Sequence, residues 1–411
     1  MNYELFLAKR MIAGREHKSS ISSPIIKISI LAIALGMIVM MISMSTSFGL
    51  QEKIREKLSG FNGHVQITSF DDNLSGITLN PIDKDQDFYP EFISVEGVSN
   101  VQVFATKPGV ILTDKTFEGI VFKGVSADYD WSFIQSYIEE GVLPIYSTEK
   151  SNAIVMSSVM ANNLEVKVGD TLRFHFPKND PNKRPNFRMF NIVALYDSGF
   201  DDFDNSIIIG DINHIIKMNK WKEDEVGGFE IFIDDFDEIR TKSNEIYVAT
   251  PSTLNARSIL EKYPQIFDWI NLFDVNVYLI IGIMIVIAGI NMITALLVLI
   301  LERAKMIGIL KTLGSTNGSL QKMFLYNASY IIIKGLFWGN LIGLTLLFTQ
   351  QYFGIIALDP STYYVKEVPV HLDWLFIGLL NIGTLVLCLT MLVVPTMVIS
   401  KIDPVKSIKF D

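Results

Sequence analysis

The sequence predicts an α-helical membrane protein with four transmembrane helices and one large extracytoplasmic α+β domain between the first and second of them. Three observations carry this expectation. Of 411 residues, 49% are apolar and only 19% are charged, more hydrophobic material than one soluble domain usually holds. The excess sits in long uncharged runs toward the two ends of the chain. The stretch between them is acidic: Gln51 to Leu272 carries 21 Lys and Arg against 35 Asp and Glu, a net of −14, which leaves +5 elsewhere. A purely soluble enzyme is excluded. An acidic domain also repels nucleic acid phosphates, whereas basic flanks beside apolar runs suit anionic membrane lipids, so membrane lipids are expected partners and nucleic acid is not.

Taken in order, residues 1–24 form a basic, amphipathic cytoplasmic segment, and residues 25–50 the first transmembrane helix, built on the 23 uncharged residues from Ile28 to Leu50. That run exceeds the apolar core of a signal peptide and no small-residue cleavage pattern follows it, so it is read as an anchor. Residues 51–272 are the extracytoplasmic domain. Residues 273–301 are the second helix, residues 302–322 a cytoplasmic segment, residues 323–349 the third helix, residues 350–373 an external loop, residues 374–399 the fourth helix and residues 400–411 a cytoplasmic tail. Lys9, Arg10, Arg15, Lys18 and Lys27 before the first span, and Lys401, Lys406 and Lys409 after the last, put both termini in the cytoplasm.

Two features of the apolar runs stand out. Lys334 interrupts the third, which reads as a helix from about Leu325 with the lysine inside it, facing other helices or snorkelling to the surface. Gly335, Gly339 and Gly343 then recur every fourth residue, a flat face that suits helix packing, with substrate contact as the second reading. In the first run, Met37, Met40, Met41 and Met44 supply adaptable thioethers that either line a lipid cavity or pack against lipid.

Within the acidic domain, alternating runs predict strands at His64–Phe70, Val101–Phe104, Gly119–Gly124, Thr171–Phe176, Phe190–Leu195, Ser206–Ile209 and Phe229–Ile233. Helical spacing or caps predict helices at Ser157–Asn163, at Ile212–Met218 with Asp211 as N-cap, and at Thr253–Tyr263. Between two strands, Phe176–Phe190 gathers prolines and cations, among them Pro177, Lys178, Pro181, Lys183, Arg184 and Pro185, with Phe187 beyond. It is expected to project as a loop, either idle or a docking finger for a soluble partner. Asp201, Asp202 and Asp204 lack the Gly and terminal Glu of a calcium loop and read as a solvated turn.

Several chemistries have no support. No G-x-x-x-x-G-K-[ST] is present, so ATP is not bound in the P-loop manner. His17, His64, His175, His214 and His371 form no H-E-x-x-H pair, and Cys388 is the lone cysteine, so no metal site, no disulfide and no catalytic residue is expected.

Glu302–Phe324 reads ERAKMIGILKTLGSTNGSLQKMF and enters the cytoplasm straight from the second helix. Ile307, Leu310 and Leu313 recur every third residue beside Met306 and Ile309; Arg303, Lys305 and Lys311 supply charge; Gly308 lies within the run and Gly314 ends it. Such a helix either lies on the lipid surface or plugs into a cytoplasmic partner.

ERAKMIGILKTLG resembles the cytoplasmic segment of the FtsX/MacB-like ABC permeases, with Met306 where the family pattern often has Glu. YELFLAKRMIAG at Tyr3–Gly14 and KIDPVKSIKF at Lys401–Phe410 match that family's ends, and the layout of spans agrees over the whole chain. ALDPSTYYVKEVPVHLDW at Ala357–Trp374, together with the Phe176–Phe190 insertion, is similar to the Lol-type lipoprotein-releasing branch.

The resemblance implies a MacB-like outer domain of two lobes, a proximal one of residues 51–109 and 227–272 and a distal one of residues 110–226. It implies a separate cytoplasmic ATPase that binds ATP and Mg and engages Glu302–Gly314, a second permease chain, identical or related, lipoproteins as cargo, and a periplasmic carrier gripped by the docking loop. Two other outcomes are compatible with the same resemblance: a MacB-like efflux permease, and an FtsX-like relay that activates a cell-wall hydrolase.

Overall fold

In a computed structural model, residues 3–13, 22–70, 77–113, 116–147, 149–178 and 184–402 are described. The chain divides into a membrane unit (residues 1–50, 270–356 and 368–411) and an α/β unit (residues 51–269 and 357–367).

The membrane unit holds helix α1 (Tyr3–Ala13) and the greater part of α2 (Ser22–Asn62). In the α/β unit, the short helices α3 (Ser132–Gln135), α4 (Ser158–Leu164), α5 (Asp201–Asp204), α6 (Asn213–Asn219) and α8 (Ile259–Lys262) join the longer α7 (Ile239–Ala249). The chain then runs through α9 (Pro264–Glu302), α10 (Ala304–Thr312), α11 (Asn317–Phe353), α12 (Pro360–Tyr363) and α13 (Trp374–Thr396). Among the described residues, four helices are long and apolar enough to cross a membrane: Pro24–Asn62, Pro264–Glu302, Asn317–Phe353 and Trp374–Lys401. The helix carrying Lys334 starts at Asn317, so the last residues expected in the cytoplasmic segment are its first turns. Lys334 is exposed and its Nζ lies 4.5 Å from the centre of the Tyr330 ring, one turn earlier.

Small residues bring the membrane helices together. A Cβ added at Gly335 would stand 2.7 Å from the Cβ of Ile33, and one at Gly339 would stand 2.7 Å from the Cβ of Met37 and 2.9 Å from the Ala34 carbonyl oxygen. At Gly343 the nearest atom is the Met41 sulfur, at 3.4 Å. The glycine face of α11 therefore lies directly on α2, so close at Gly335 and Gly339 that backbone meets side chain with no room for a methyl group, while Gly343 makes ordinary contact. Met37, Met40, Met41 and Met44 are only 0 to 4% exposed and belong to the core of this unit, which excludes the reading in which they pack against lipid. Between α11 and α13, Asn340 and Asn381 exchange amide hydrogen bonds of 2.7 and 3.0 Å, and each also donates to a carbonyl one turn back in its own helix.

The α/β unit is built on β1 (Val65–Ser69), β2 (Ile82–Asp83), β3 (Val98–Leu112), β4 (Phe117–Val125), β5 (Ile138–Gly141) and β6 (Ala153–Ser157). It continues with β7 (Thr171–Phe176), β8 (Asn186–Tyr196), β9 (Ile207–Asp211), β10 (Glu225–Val226), β11 (Gly228–Ile233) and β12 (Leu254–Ser258). The main sheet runs β12-β1-β11-β3-β4-β9-β6-β8-β5, with β7 bridging β3 and β8. Because β7 pairs with both, β3, β4, β9, β6, β8 and β7 close into a ring. Fully buried Phe122, Phe174, Phe176 and Phe190 pack against one another inside it, at centroid separations from 4.8 to 6.4 Å. Alternation along the strands drives this closure: every second residue of Thr171–Phe176 is buried, as period-two patterning requires.

Four expectations are corrected here. Thr253–Tyr263 is not one helix: Leu254, Ala256 and Ser258 alternate inward as β12 against β1, and only Ile259–Lys262 turns helical, capped by the Ser258 hydroxyl. Asp211 ends β9 and Ile212 is the N-cap position of α6, although the Asp211 carboxylate still accepts the Asn213 N–H at 2.9 Å and the Ser151 N–H at 2.7 Å. Asp204 is buried, not solvated: it accepts from the Ser198 hydroxyl at 2.7 Å and the Phe200 N–H at 3.3 Å, and burial pushes its carboxyl up to about 6. The span expected as an external loop is divided, since α11 reaches Phe353 and residues 357–367 belong to the α/β unit.

At the heart of this unit lies a buried ion pair. Lys123 of β4 reaches Glu230 of β11 with its Nζ 2.7 and 2.8 Å from the two carboxylate oxygens, and donates to the Phe61 carbonyl at 2.6 Å. Glu230 also accepts from the amides of Gln66 (3.1 Å) and Gln102 (3.0 Å). Beside them Lys262 Nζ donates to Asn62 Oδ1 and Gln66 Oε1, each at 2.8 Å, and desolvation lowers it to about 8.

Removing one charge of this pair strands the other in a dry interior, at a cost of about 3–5 kcal/mol. Lys123→Met should therefore lower the thermal unfolding midpoint of the α/β unit sharply, and the double variant Lys123→Met with Glu230→Leu should regain most of the loss; equal melting of the two would refute the pairing. In the membrane unit, Gly339→Leu should disrupt the α2–α11 contact and lower the aggregation temperature in detergent, by overpacking worth about 1–3 kcal/mol, whereas Gly383→Leu, where no atom lies within 4 Å, should not.

Candidate coupling segment and docking loop

α9 ends at Glu302, and Arg303 leaves helical geometry (φ −96°, ψ 14°) before α10 begins. The break redirects the chain. Ile307 and Gly308 are buried, while Met306 and Leu310 pack against the membrane-unit core. The periodicity is thus split: Ile307 and Leu310 turn inward, whereas Leu313, expected on the same stripe, is 77% exposed and shares the outer face with Ile309 at 45%. Glu302 and Lys305 are exposed as well.

Two devices fix this helix. Lys311 Nζ donates to the carbonyls of Ile399 (2.7 Å) and Ile402 (2.9 Å), tying α10 to the 3₁₀ turn Met397–Lys401 that follows α13. After Leu313, Gly314 takes φ +96°, its N–H bonds the Lys311 carbonyl at 3.0 Å, and the Ser315 N–H bonds that of Leu310 at 3.0 Å. That pair of bonds is a Schellman cap, which needs a left-handed residue and so favours glycine. The Thr316 hydroxyl then accepts the Ser319 N–H and starts α11. Against the same corner, Glu4 of α1 accepts from the Ser319 hydroxyl at 3.1 Å, and Tyr3 Oη lies 3.4 Å from Ser315 Oγ. Sequence periodicity could not show the Lys311 link, because its acceptors lie 88 and 91 residues away.

The proline-rich segment caps a hairpin. β7 and β8 stay paired as far as Phe176 with Asn186, so the loop is shorter than Phe176–Phe190 and its last five residues are strand. Phe187 is 61% exposed on β8, with the Arg173 guanidinium 5.7 Å from its ring centre. Pro177, Lys178, Arg184 and Pro185 are exposed, and Pro181 and Lys183 lie outside the described residues.

A third feature lies within the predicted external loop, whose place in the α/β unit the sequence did not show. Residues 357–367, which link α11 to α13, form a strap within the α/β unit: Ala357 bridges Glu367, Asp359 caps α12, and Tyr364 takes φ +60°. The Tyr364 ring stacks on Phe200 at 4.7 Å, and its carbonyl accepts from buried Lys57 at 3.0 Å. Lys57 also reaches the Gly199 carbonyl, and Lys366 pairs with Asp197. At the two ends of the strap, within the membrane unit, the Gln350 amide donates to the carbonyls of Ile356 (3.2 Å) and Val368 (3.1 Å).

The chain as a whole is similar to known proteins. Residues 28–261 match the MacB-like periplasmic core domain and residues 278–404 the FtsX-like permease C-terminal family. Over 98% of both chains, the sequence is 22% identical to the lipoprotein-releasing system transmembrane protein LolE of Haemophilus influenzae. It is 20% identical to LolC of Neisseria meningitidis over 99% of both chains. Among solved structures, the extracellular domain of the ABC-type transporter YknZ from Gram-positive bacteria aligns with 47% of this chain and 99% of its own, at 12% identity and a TM-score of 0.32. With the core-domain match covering more than half of its length and the C-terminal match following in the same order, the chain belongs to the FtsX/MacB-like ABC transporter permeases.

Proposed function

We propose that this chain is the permease subunit of an ABC transporter that uses ATP hydrolysed on a separate subunit to extract lipoproteins from the inner membrane and pass them to a periplasmic carrier. Similarity to LolE and LolC along nearly the whole chain supports the cargo. The single observation that carries the mechanism is α10: a short helix with exposed apolar Ile309 and Leu313, capped at Gly314 and tied through Lys311 to the end of α13.

On this reading ATP and Mg bind the partner ATPase, and α10 seats its outer face in that subunit. Pulling a lipid anchor from a bilayer costs about 0.8 kcal/mol per methylene, so the extraction needs such an external energy source. When the ATPase subunits close, the push on α10 reaches α9 through the chain and α13 through Lys311, and the permease shifts between two states that bind the ATPase differently. A second permease chain, identical or related, completes the membrane part. Both termini face the cytoplasm and the α/β unit stands in the periplasm. Its distal lobe is the closed strand ring, its proximal lobe is formed by β1, β11 and β12, and the two share β3. The hairpin loop after β7 grips the carrier, and acyl chains pass between the first two spanning helices.

Ile309→Asp with Leu313→Asp should cut the ATPase recovered with the tagged protein at least tenfold, while leaving its thermal stability in detergent nearly unchanged because both side chains are exposed. Undiminished ATPase recovery would remove α10 as the docking element. Replacing residues 179–184 by Asn-Gly, a turn that closes short hairpins, should abolish binding of the carrier and spare ATPase recovery. Carrier binding that survives the replacement would refute the docking role, and recovery of an efflux adaptor or a cell-wall hydrolase in place of lipoproteins would refute the cargo.

A further inference from the structure

At one mouth of the strand ring is a cleft of about 910 Å³. Among the described residues, fifteen line it; five of these are cationic, Lys107, Lys178, Arg188, Lys217 and Lys220, and none of the fifteen is Asp or Glu. The imbalance runs against the composition around it, since residues 51–272 hold 35 acidic residues and 21 basic ones. A cleft walled by one sign of charge focuses potential and concentrates counter-ions, and barrel mouths are a preferred place for ligand sites.

One of these cations is held in place. Lys107 of β3 is 9% exposed, its Nζ is fixed by the neutral amide oxygen of Asn219 at 2.6 Å, and burial lowers its ammonium below the usual lysine range. Lys220 follows α6 in the left-handed region, φ +59°, a position where glycine or asparagine is ordinarily found. Its neighbour Trp221 is half-buried against the same cleft.

The backbone argues for a small ligand over a peptide. Between the β3 residues that pair with β11 and those that pair with β7, the edge of β3 offers little to an added strand: the Thr106 N–H is taken by the Thr78 hydroxyl at 3.0 Å, and Pro108 has no N–H. The volume also falls in the range of small-molecule sites, about 300–1,000 Å³. Lysine and arginine around a half-open cleft, with an indole and amide side chains beside them, match a phosphate carried on a hydroxylated body.

We propose that this cleft binds a small phosphate ester, reached either as a free sugar phosphate or as the phosphorylated headgroup of a lipid. The cleft borders the docking loop at Pro177 and Lys178, but its assignment does not rest on the cargo reading and would stand if that reading failed.

The full-length protein in detergent should bind glucose 6-phosphate and not glucose by titration calorimetry, with the affinity falling at least tenfold in Lys217→Gln/Lys220→Gln and in Arg188→Gln. Lys217 and Lys220 are exposed, so the double variant should fold as the parent does. In a second arm, native mass spectrometry compares retention of phosphatidylglycerol and phosphatidylcholine after exchange into nanodiscs. Preferential phosphatidylglycerol retention that the variants lose, without glucose 6-phosphate binding, assigns the headgroup as the source. If neither phosphate probe separates parent from variants, or if poly-glutamate binds more tightly than both, the assignment is overturned.

Discussion

The α/β unit depends on one buried contact, the Lys123 ammonium held between the Glu230 carboxylate and the Phe61 carbonyl. Phe61 lies in the last turn of α2, Lys123 on β4 and Glu230 on β11, so a single cation fixes a helix end to two strands of the sheet. Gln66 and Gln102 satisfy the remaining capacity of the carboxylate, as a charge in a low-dielectric interior requires. Lys262 and Tyr263, just before α9, meet the same place through the Asn62 amide oxygen. Both long helices that join the two units in sequence are thereby anchored at one polar centre.

The membrane unit is organised by a different physics. Lipid offers no hydrophobic drive for helices to associate, so close backbone approach and paired polar groups must do it. Gly335, Gly339 and Gly343 provide the first against α2, and the reciprocal Asn340–Asn381 amides provide the second against α13. α10 is held to this bundle by an ammonium on two carbonyls, an arrangement that leaves its apolar outer face uncovered while the inner face stays packed.

What was legible in the sequence follows from how local each signal is. Charge-free runs, two-residue alternation in β7 and the Gly314 stop are encoded in neighbouring residues, and the spans, several strands and the α10 cap were readable from them. Thr253–Tyr263 misled because Ser258 caps a helix of a single turn while the preceding residues pair with β1, a partner almost two hundred residues earlier. The Asp201–Asp204 cluster misled because composition cannot tell that Ser198 folds back to satisfy Asp204. The amphipathic α7 and the strand β6 were missed, and the cations of the basic cleft come from β3, the loop after β7, β8 and the end of α6, which no window of sequence unites.

The strap at residues 357–367 alters what counts as a domain in this protein. Its residues lie more than eighty positions beyond Trp269, yet Tyr364 covers Phe200 and supplies a carbonyl to Lys57. A fragment cut at residues 51–269 would therefore keep every strand and still be incomplete: an aromatic face would be bare and a buried ammonium would lose one of its acceptors. The folding unit is assembled from two stretches of chain separated by two membrane helices, so its last piece is delivered only after α11 has been made.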